Sequence, residues 1–125
     1  MARHVLDASA VLAWLQGEPG AAVVDPLFAE AAISTVNWSE VLQKVAQKGR
    51  DAGETGDLLK ALGLQIVPLT EEDASLAASL WSQVSNLSLA DRCCLALAHR
   101  RKARAVTADS RWQELPMGLE ILVIR

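Results

Sequence analysis

The chain is poor in cysteine, with two in 125 residues, and these two, Cys93 and Cys94, are adjacent. Neighbours on a helix point about 100° apart, so the pair is badly placed to bond to itself, and no further metal-ligand spacing follows it. Both read as small buried apolar residues in a reducing, cytoplasmic setting. Long apolar runs are missing too. The longest uncharged stretch, Ala74 to Ala90, is broken by five serines and Asn86, short of the ~20 apolar residues of a membrane span. Asp7 stands where a signal peptide needs an apolar segment, so neither export nor a membrane partner is expected. Nor is there a basic excess: 12 basic against 15 acidic side chains leave a net charge of −3, whereas nucleic-acid-binding domains are usually basic. Repeats, low-complexity tracts and Pro/Gly-rich linkers are absent, and a single domain over residues 1–125 is expected. Half of the residues, 51%, are apolar, enough for a core and too many for a disordered chain.

Short apolar runs alternate with longer helical ones. Arg3–Leu6, Ala31–Ser34, Leu64–Val67, Ala103–Thr107 and Leu119–Ile124 read as strands. Leu64–Val67 and Leu119–Ile124 show little alternation, as strands covered on both faces should. Between them, Ala8–Leu15 reads as a helix broken by Gly17-Glu18-Pro19-Gly20, and Ala21–Glu30 as a second with a kink or restart at Pro26. Trp38, Val41, Leu42, Val45 and Ala46 form a helical stripe closed by Gly49. A helix at Thr55–Leu62 ends at Gly63. Thr70-Glu71-Glu72-Asp73 and Ser88-Leu89-Ala90-Asp91 look like capping boxes, opening helices to about Val84 and Lys102. Asp109–Glu114 reads as a short turn or helix. Strands separated by helices mean α/β with a mainly parallel sheet of four to five strands.

In such a sheet, ligands gather at the carboxyl ends of the strands. Asp7 and Asp109 follow the first and fourth strands, Glu40 lies early in the helix after the second, and Asp91 opens the helix leading into the fourth. Each has a bland alternative. Asp7 suits a helix N-cap, Asp91 the reciprocal half of a capping box, Asp109 a turn, and Glu40 a solvated helix face. Together, four carboxylates on one rim raise one another's pKa or demand a cation. Oxygen donors without Cys or paired His suit Mg²⁺ or Mn²⁺. Such a site grips phosphate and activates water.

The segments Val5-Leu6-Asp7-Ala8-Ser9, Ile33-Ser34 with Asn37 and Glu40, Leu87 to Arg92 with Cys94 to Ala98, and Val106-Thr107-Ala108-Asp109 with Trp112 resemble the PIN-domain ribonucleases. The likeness is strongest to the toxins of VapBC-type toxin–antitoxin pairs and spans nearly the whole chain. It implies a three-layer α/β/α sandwich and a metal-dependent endoribonuclease using Mg²⁺ or Mn²⁺. Asp7, Glu40, Asp91 and Asp109 would be both catalytic and metal-binding. Ser9 and Thr107 would supply hydroxyls nearby, and Asn37 a supporting role. The resemblance also implies a homodimer and a cognate antitoxin whose segment fills the groove. Ser110 stands where many relatives carry Arg, so no substrate contact is assigned there.

Two alternatives have different signatures. A non-catalytic PIN-like scaffold would have lost site acids, and all four are present. A Mg²⁺-dependent receiver or phosphohydrolase would have an acid two residues after Asp7 and a Lys after the last strand, and neither is found. For RNA contact the candidates are Arg92, beside Asp91, and Trp112, beside Asp109, as a stacking platform. Core packing is the expected use of all four tryptophans, Trp14, Trp38, Trp81 and Trp112, and only Trp112 is also a stacking candidate. The cluster His99 to Arg104 complements a helix end and would hold phosphates if it faced the groove.

Overall fold

The computed structural model describes residues 2–81, 86–115 and 118–125. Five strands, β1 (His4–Leu6), β2 (Ala31–Ser34), β3 (Gln65–Val67), β4 (Arg104–Thr107) and β5 (Ile121–Val123), form one sheet in the order β3-β2-β1-β4-β5. Every pairing is parallel; His4 faces Ala31 on one side and Arg104 on the other. The helices are α1 (Ala8–Leu15), α2 (Ala21–Val24), α3 (Thr35–Gln47), α4 (Ala52–Ala61), α5 (Glu71–Ser79) and α6 (Leu89–Arg101), with 3₁₀ turns at Asp25–Glu30 and Ser110–Glu114.

Side chains of a strand alternate between its faces, and here alternation divides the core in two. Leu6, Ala31, Ile33 and Val106 point to a layer holding Val11, Val24, Phe28, Val41 and Leu59 from α1 to α4. Val5, Ala32 and Ala105 point to the opposite layer, with Leu95, Leu97 and Ala98 of α6 and Trp112. Helices on both faces of a parallel sheet make the expected α/β/α sandwich.

Local chemistry sets most element ends. Pro26 occupies the first turn of the 3₁₀ segment after α2, which is the restart expected at that residue. At the end of α4, Gly63 has φ 110° and a Cβ there would lie 2.9 Å from the Ala29 Cα, so only glycine fits. Both capping boxes form, Thr70 with Asp73 and Ser88 with Asp91.

Three expectations change. The helix expected at Thr55–Leu62 begins at Ala52, because Asp51 caps it by accepting from the Glu54 N–H at 3.0 Å. Helix α5 ends at Ser79, and the rest of the expected run to Val84 falls partly on residues 82–85, outside the described residues. Finally, β3 and β5 are the sheet edges, with Gln65 exposed and Ile121 to Val123 only half-buried. The strands covered on both faces are β1, β2 and β4, whose short runs of Ala and Val fit beneath the helices.

Candidate active site

Asp7 leaves β1 and caps α1, its Oδ1 accepting from the Ala10 N–H at 2.9 Å. The expected capping role and a place at the strand's carboxyl end therefore coincide. The Ser9 hydroxyl donates to Asp7 Oδ1 at 2.7 Å and the Thr107 hydroxyl to Oδ2. The two hydroxyls lie 3.3 Å apart although 98 positions separate them in sequence. Each is fixed from behind: Ser9 Oγ accepts from the Ala108 N–H at 2.9 Å, and Thr107 Oγ1 from the Asp109 N–H at 3.1 Å. This cradle is built because β1 and β4 are neighbours, joined further by the Asp7 N–H donating to the Val106 carbonyl. Asp7 is only 4% exposed. Burial raises its pKa to about 6, against the downward pull of the Thr107, Ser9 and Ala10 donors, with the Asp91 charge adding to the rise.

Glu40 lies in the second turn of α3, on the carboxyl side of β2. The buried Asn37 amide donates to Glu40 Oε1 at 3.1 Å and to the Ala90 carbonyl at 3.2 Å, tying α3 to the start of α6. Asn37 Oδ1 is buried with no partner among the described residues. Asp91 lies in the first turn of α6, its carboxylate accepting from the Ser88 N–H at 3.1 Å. Burial pushes the Cys94 thiol, on the next turn, well above its usual pKa, and the charges of Asp7, Asp91 and Glu40 all push it the same way. The charges of three of the four expected carboxylates are thus all felt at Cys94 on α6.

Asp109 is turned differently. Its two oxygens accept from Arg111 Nε at 3.0 and 3.2 Å and from Nη2 at 2.6 Å. This guanidinium holds the carboxyl below its ordinary pKa, and Arg111 in turn feels the Asp91 charge. Arg111 is the site residue that the sequence reading missed; its spacing two residues after Asp109 was the available signal.

The donor set is one of oxygens: carboxylates, two hydroxyls and the orphaned Asn37 amide oxygen. Its chemistry fits a hard divalent cation such as Mg²⁺ or Mn²⁺. Among the described residues, however, no three His, Cys, Asp or Glu side chains lie close enough together to hold one ion; Asp109 is engaged by Arg111 instead.

Both residues expected to touch RNA are otherwise employed. Trp112 is fully buried in the layer under α6 and has no face to offer a base. Arg92 Nη1 donates to the Ala77 carbonyl at 2.9 Å, bracing α6 on α5. Trp81, expected in the core, is 60% exposed. The basic cluster ends α6 at the amino-terminal edge of the sheet, away from the carboxylates.

No curated protein matches the sequence. Several solved structures share its fold. A toxin–antitoxin complex from Klebsiella pneumoniae aligns over 90% of this chain and 92% of its own, with TM-score 0.76 and 20% identity. DNA-bound VapBC from Salmonella typhimurium aligns over 97% of both chains, with TM-score 0.72 and 15% identity. VapC20 of Mycobacterium tuberculosis, described as a sarcin–ricin loop cleaving toxin, covers 88% of this chain and 92% of its own, with TM-score 0.71 and 12% identity. At these identities the likeness concerns the fold. The family model for the PIN domain matches residues 4–117, nearly the full length, and the chain belongs to the PIN domain family.

Proposed function

We propose that the protein is a divalent-metal-dependent endoribonuclease, formed by one domain over residues 1–125 and acting as the cytoplasmic toxin of a toxin–antitoxin pair. The observation that carries this reading is Asp7 itself, buried at the carboxyl end of β1 in a cradle of two hydroxyls and a backbone N–H, with the Asp91 charge felt at its carboxyl. A fold has room for many functions; a buried carboxylate at the ligand-binding edge of the sheet narrows it.

Asp7, Glu40, Asp91 and Asp109 would hold Mg²⁺ or Mn²⁺. When bound, the ion supplies charge neutralisation of the phosphodiester and a more acidic water. The chain's own residues prepare for it. Ser9 and Thr107 keep both oxygens of Asp7 in a fixed direction, and Asn37 keeps Glu40 against α6. Ser88 orients Asp91. Hydrolysis would leave a 5′-phosphate and a 3′-hydroxyl. The antitoxin assignment draws support from relatives of the same fold described as toxin–antitoxin and VapBC complexes, and RNA as substrate from the neighbour described as cleaving the sarcin–ricin loop. A homodimer and a small cognate antitoxin complete the proposal.

The test is RNA cleavage by the purified protein with Mg²⁺ or Mn²⁺, set against EDTA and against Asp7→Asn and Asp91→Asn. Cleavage that needs the ion and both carboxylates is expected. Cleavage that persists with chelator or in the variants rejects the proposal.

A further inference from the structure

At the end of the sheet opposite the carboxylates lies a depression of about 1080 Å³, formed where the starts of β1 and β4 meet the end of α6. Its lining is unlike the rest of the chain. Both histidines of the protein, His4 and His99, border it. So do five of the twelve lysines and arginines: Arg3, Arg100, Arg101, Lys102 and Arg104. Glu120 is the one carboxylate in the lining. A protein with net charge −3 thus concentrates positive charge in one recess.

Little of that charge is neutralised. Arg100 is taken by Asp73, with bonds of 2.7 and 2.9 Å. The other two pairs are loose, Arg3 with Glu30 at 3.7 Å and Arg104 with Glu120 at 3.8 Å, and exposed pairs of this kind contribute little. Arg101, Lys102 and His99 have no ion pair among the described residues. Two buried donor or acceptor atoms, His4 Nδ1 and Arg104 Nε, also lack partners among them. Basic residues often complement the carbonyls that end a helix, but that role does not call for Arg3, just before β1, or Arg104, at the start of β4.

We propose that this recess binds phosphate groups of the RNA backbone, as an anchoring site separate from the cleavage site. The inference rests on the ribonuclease reading and extends it. Backbone phosphates supply most of the affinity in such complexes and are held by Lys and Arg without regard to sequence. Along α6, at about 1.5 Å per residue, Arg101 lies roughly 15 Å from Asp91. One RNA strand can therefore be anchored here while a distant phosphodiester lies at the carboxylates.

The two histidines make the site directly observable. Titrating single-stranded RNA into the unaltered protein in EDTA should shift the ring signals of both His4 and His99 in NMR spectra. Inorganic tripolyphosphate provides the free-anion arm. Shifts with tripolyphosphate and none with RNA would overturn the proposal in favour of a small anion, and the absence of shifts with either would overturn it outright. In fluorescence anisotropy, Arg101→Gln with Lys102→Gln should weaken RNA binding about tenfold and reduce the log–log salt slope by about 1.4, the value for two phosphate contacts on a single strand. Cleavage of a short oligonucleotide confined to the carboxylate end should be unchanged in that double variant. Unchanged binding in a variant that still cleaves overturns this inference alone. RNA binding with shifted histidines but no metal-dependent cleavage supports the anchor and rejects the nuclease.

Discussion

Asp7→Asn should stabilise the fold at neutral pH while abolishing cleavage. The Asp7 carboxyl is 4% exposed and its pKa rises from 3.8 to about 6, chiefly because burial penalises the charged form. Below pH 3.8 the carboxyl is protonated in both the folded and the unfolded chain, and the folded state keeps all of this contribution. Between pH 3.8 and 6 the unfolded chain ionises first, so stability falls as pH rises. Above pH 6 the penalty is complete. A shift of about two units corresponds to roughly 3 kcal/mol. Asparagine caps a helix about as well as aspartate, but its amide nitrogen cannot accept from both hydroxyls of the cradle, at a cost of about 1 kcal/mol. The net expectation is a gain of about 1–2 kcal/mol at pH 7.5 in EDTA, read by urea unfolding. The gain should vanish near pH 4. Added Mg²⁺ should stabilise the original protein and not the variant, since a ligand stabilises only the state that binds it. A variant no more stable than the original at pH 7.5, or a difference that does not vary with pH, would refute the reasoning.

Three further outcomes follow from the same geometry. Arg111→Gln removes the guanidinium that occupies both oxygens of Asp109, so Mn²⁺ binding measured by calorimetry should tighten; weaker or unchanged binding would mean that the ion does not use Asp109. Trp112→Ala should lose about 3–5 kcal/mol of stability, because the indole is fully buried; Trp112→Phe should retain RNA affinity by anisotropy, and a large loss in a folded Phe variant would contradict a purely packing role. In Asp73, burial pushes the carboxyl pKa up, but the Arg100 guanidinium and the Thr70 cap hold it below its ordinary value. Asp73→Asn should therefore destabilise the α5–α6 pair by roughly 1–3 kcal/mol at pH 7, with the difference disappearing as pH falls below the carboxylate range, and a pH-independent difference would exclude the ion pair as its source.

Sequence alone determined what depends on neighbours a few positions apart. The capping boxes at Thr70 and Ser88, the stop at Gly49 and the restart at Pro26 use contacts within a turn or so of helix, and these set the order of strands and helices along the chain. The rule that ligands meet at the carboxyl ends of parallel strands then led to the expectation that Asp7, Glu40, Asp91 and Asp109 share one rim. Only the tertiary structure decided the rest. Because β1 lies between β2 and β4, Ser9 and Thr107 meet around one carboxylate, and because β3 and β5 fall at the edges, their apolar runs are half-exposed. Trp112 is buried, as its core-packing reading has it, whereas Trp81 is exposed against expectation, since burial depends on which layer covers a residue and not on its own pattern. Likewise, the basic residues of α6 meet Arg3 and Arg104 only once the starts of two strands are brought side by side. Hydrogen bonds and caps act locally, whereas burial and electrostatic fields sum over every neighbour, and those neighbours are known only when the sheet is assembled.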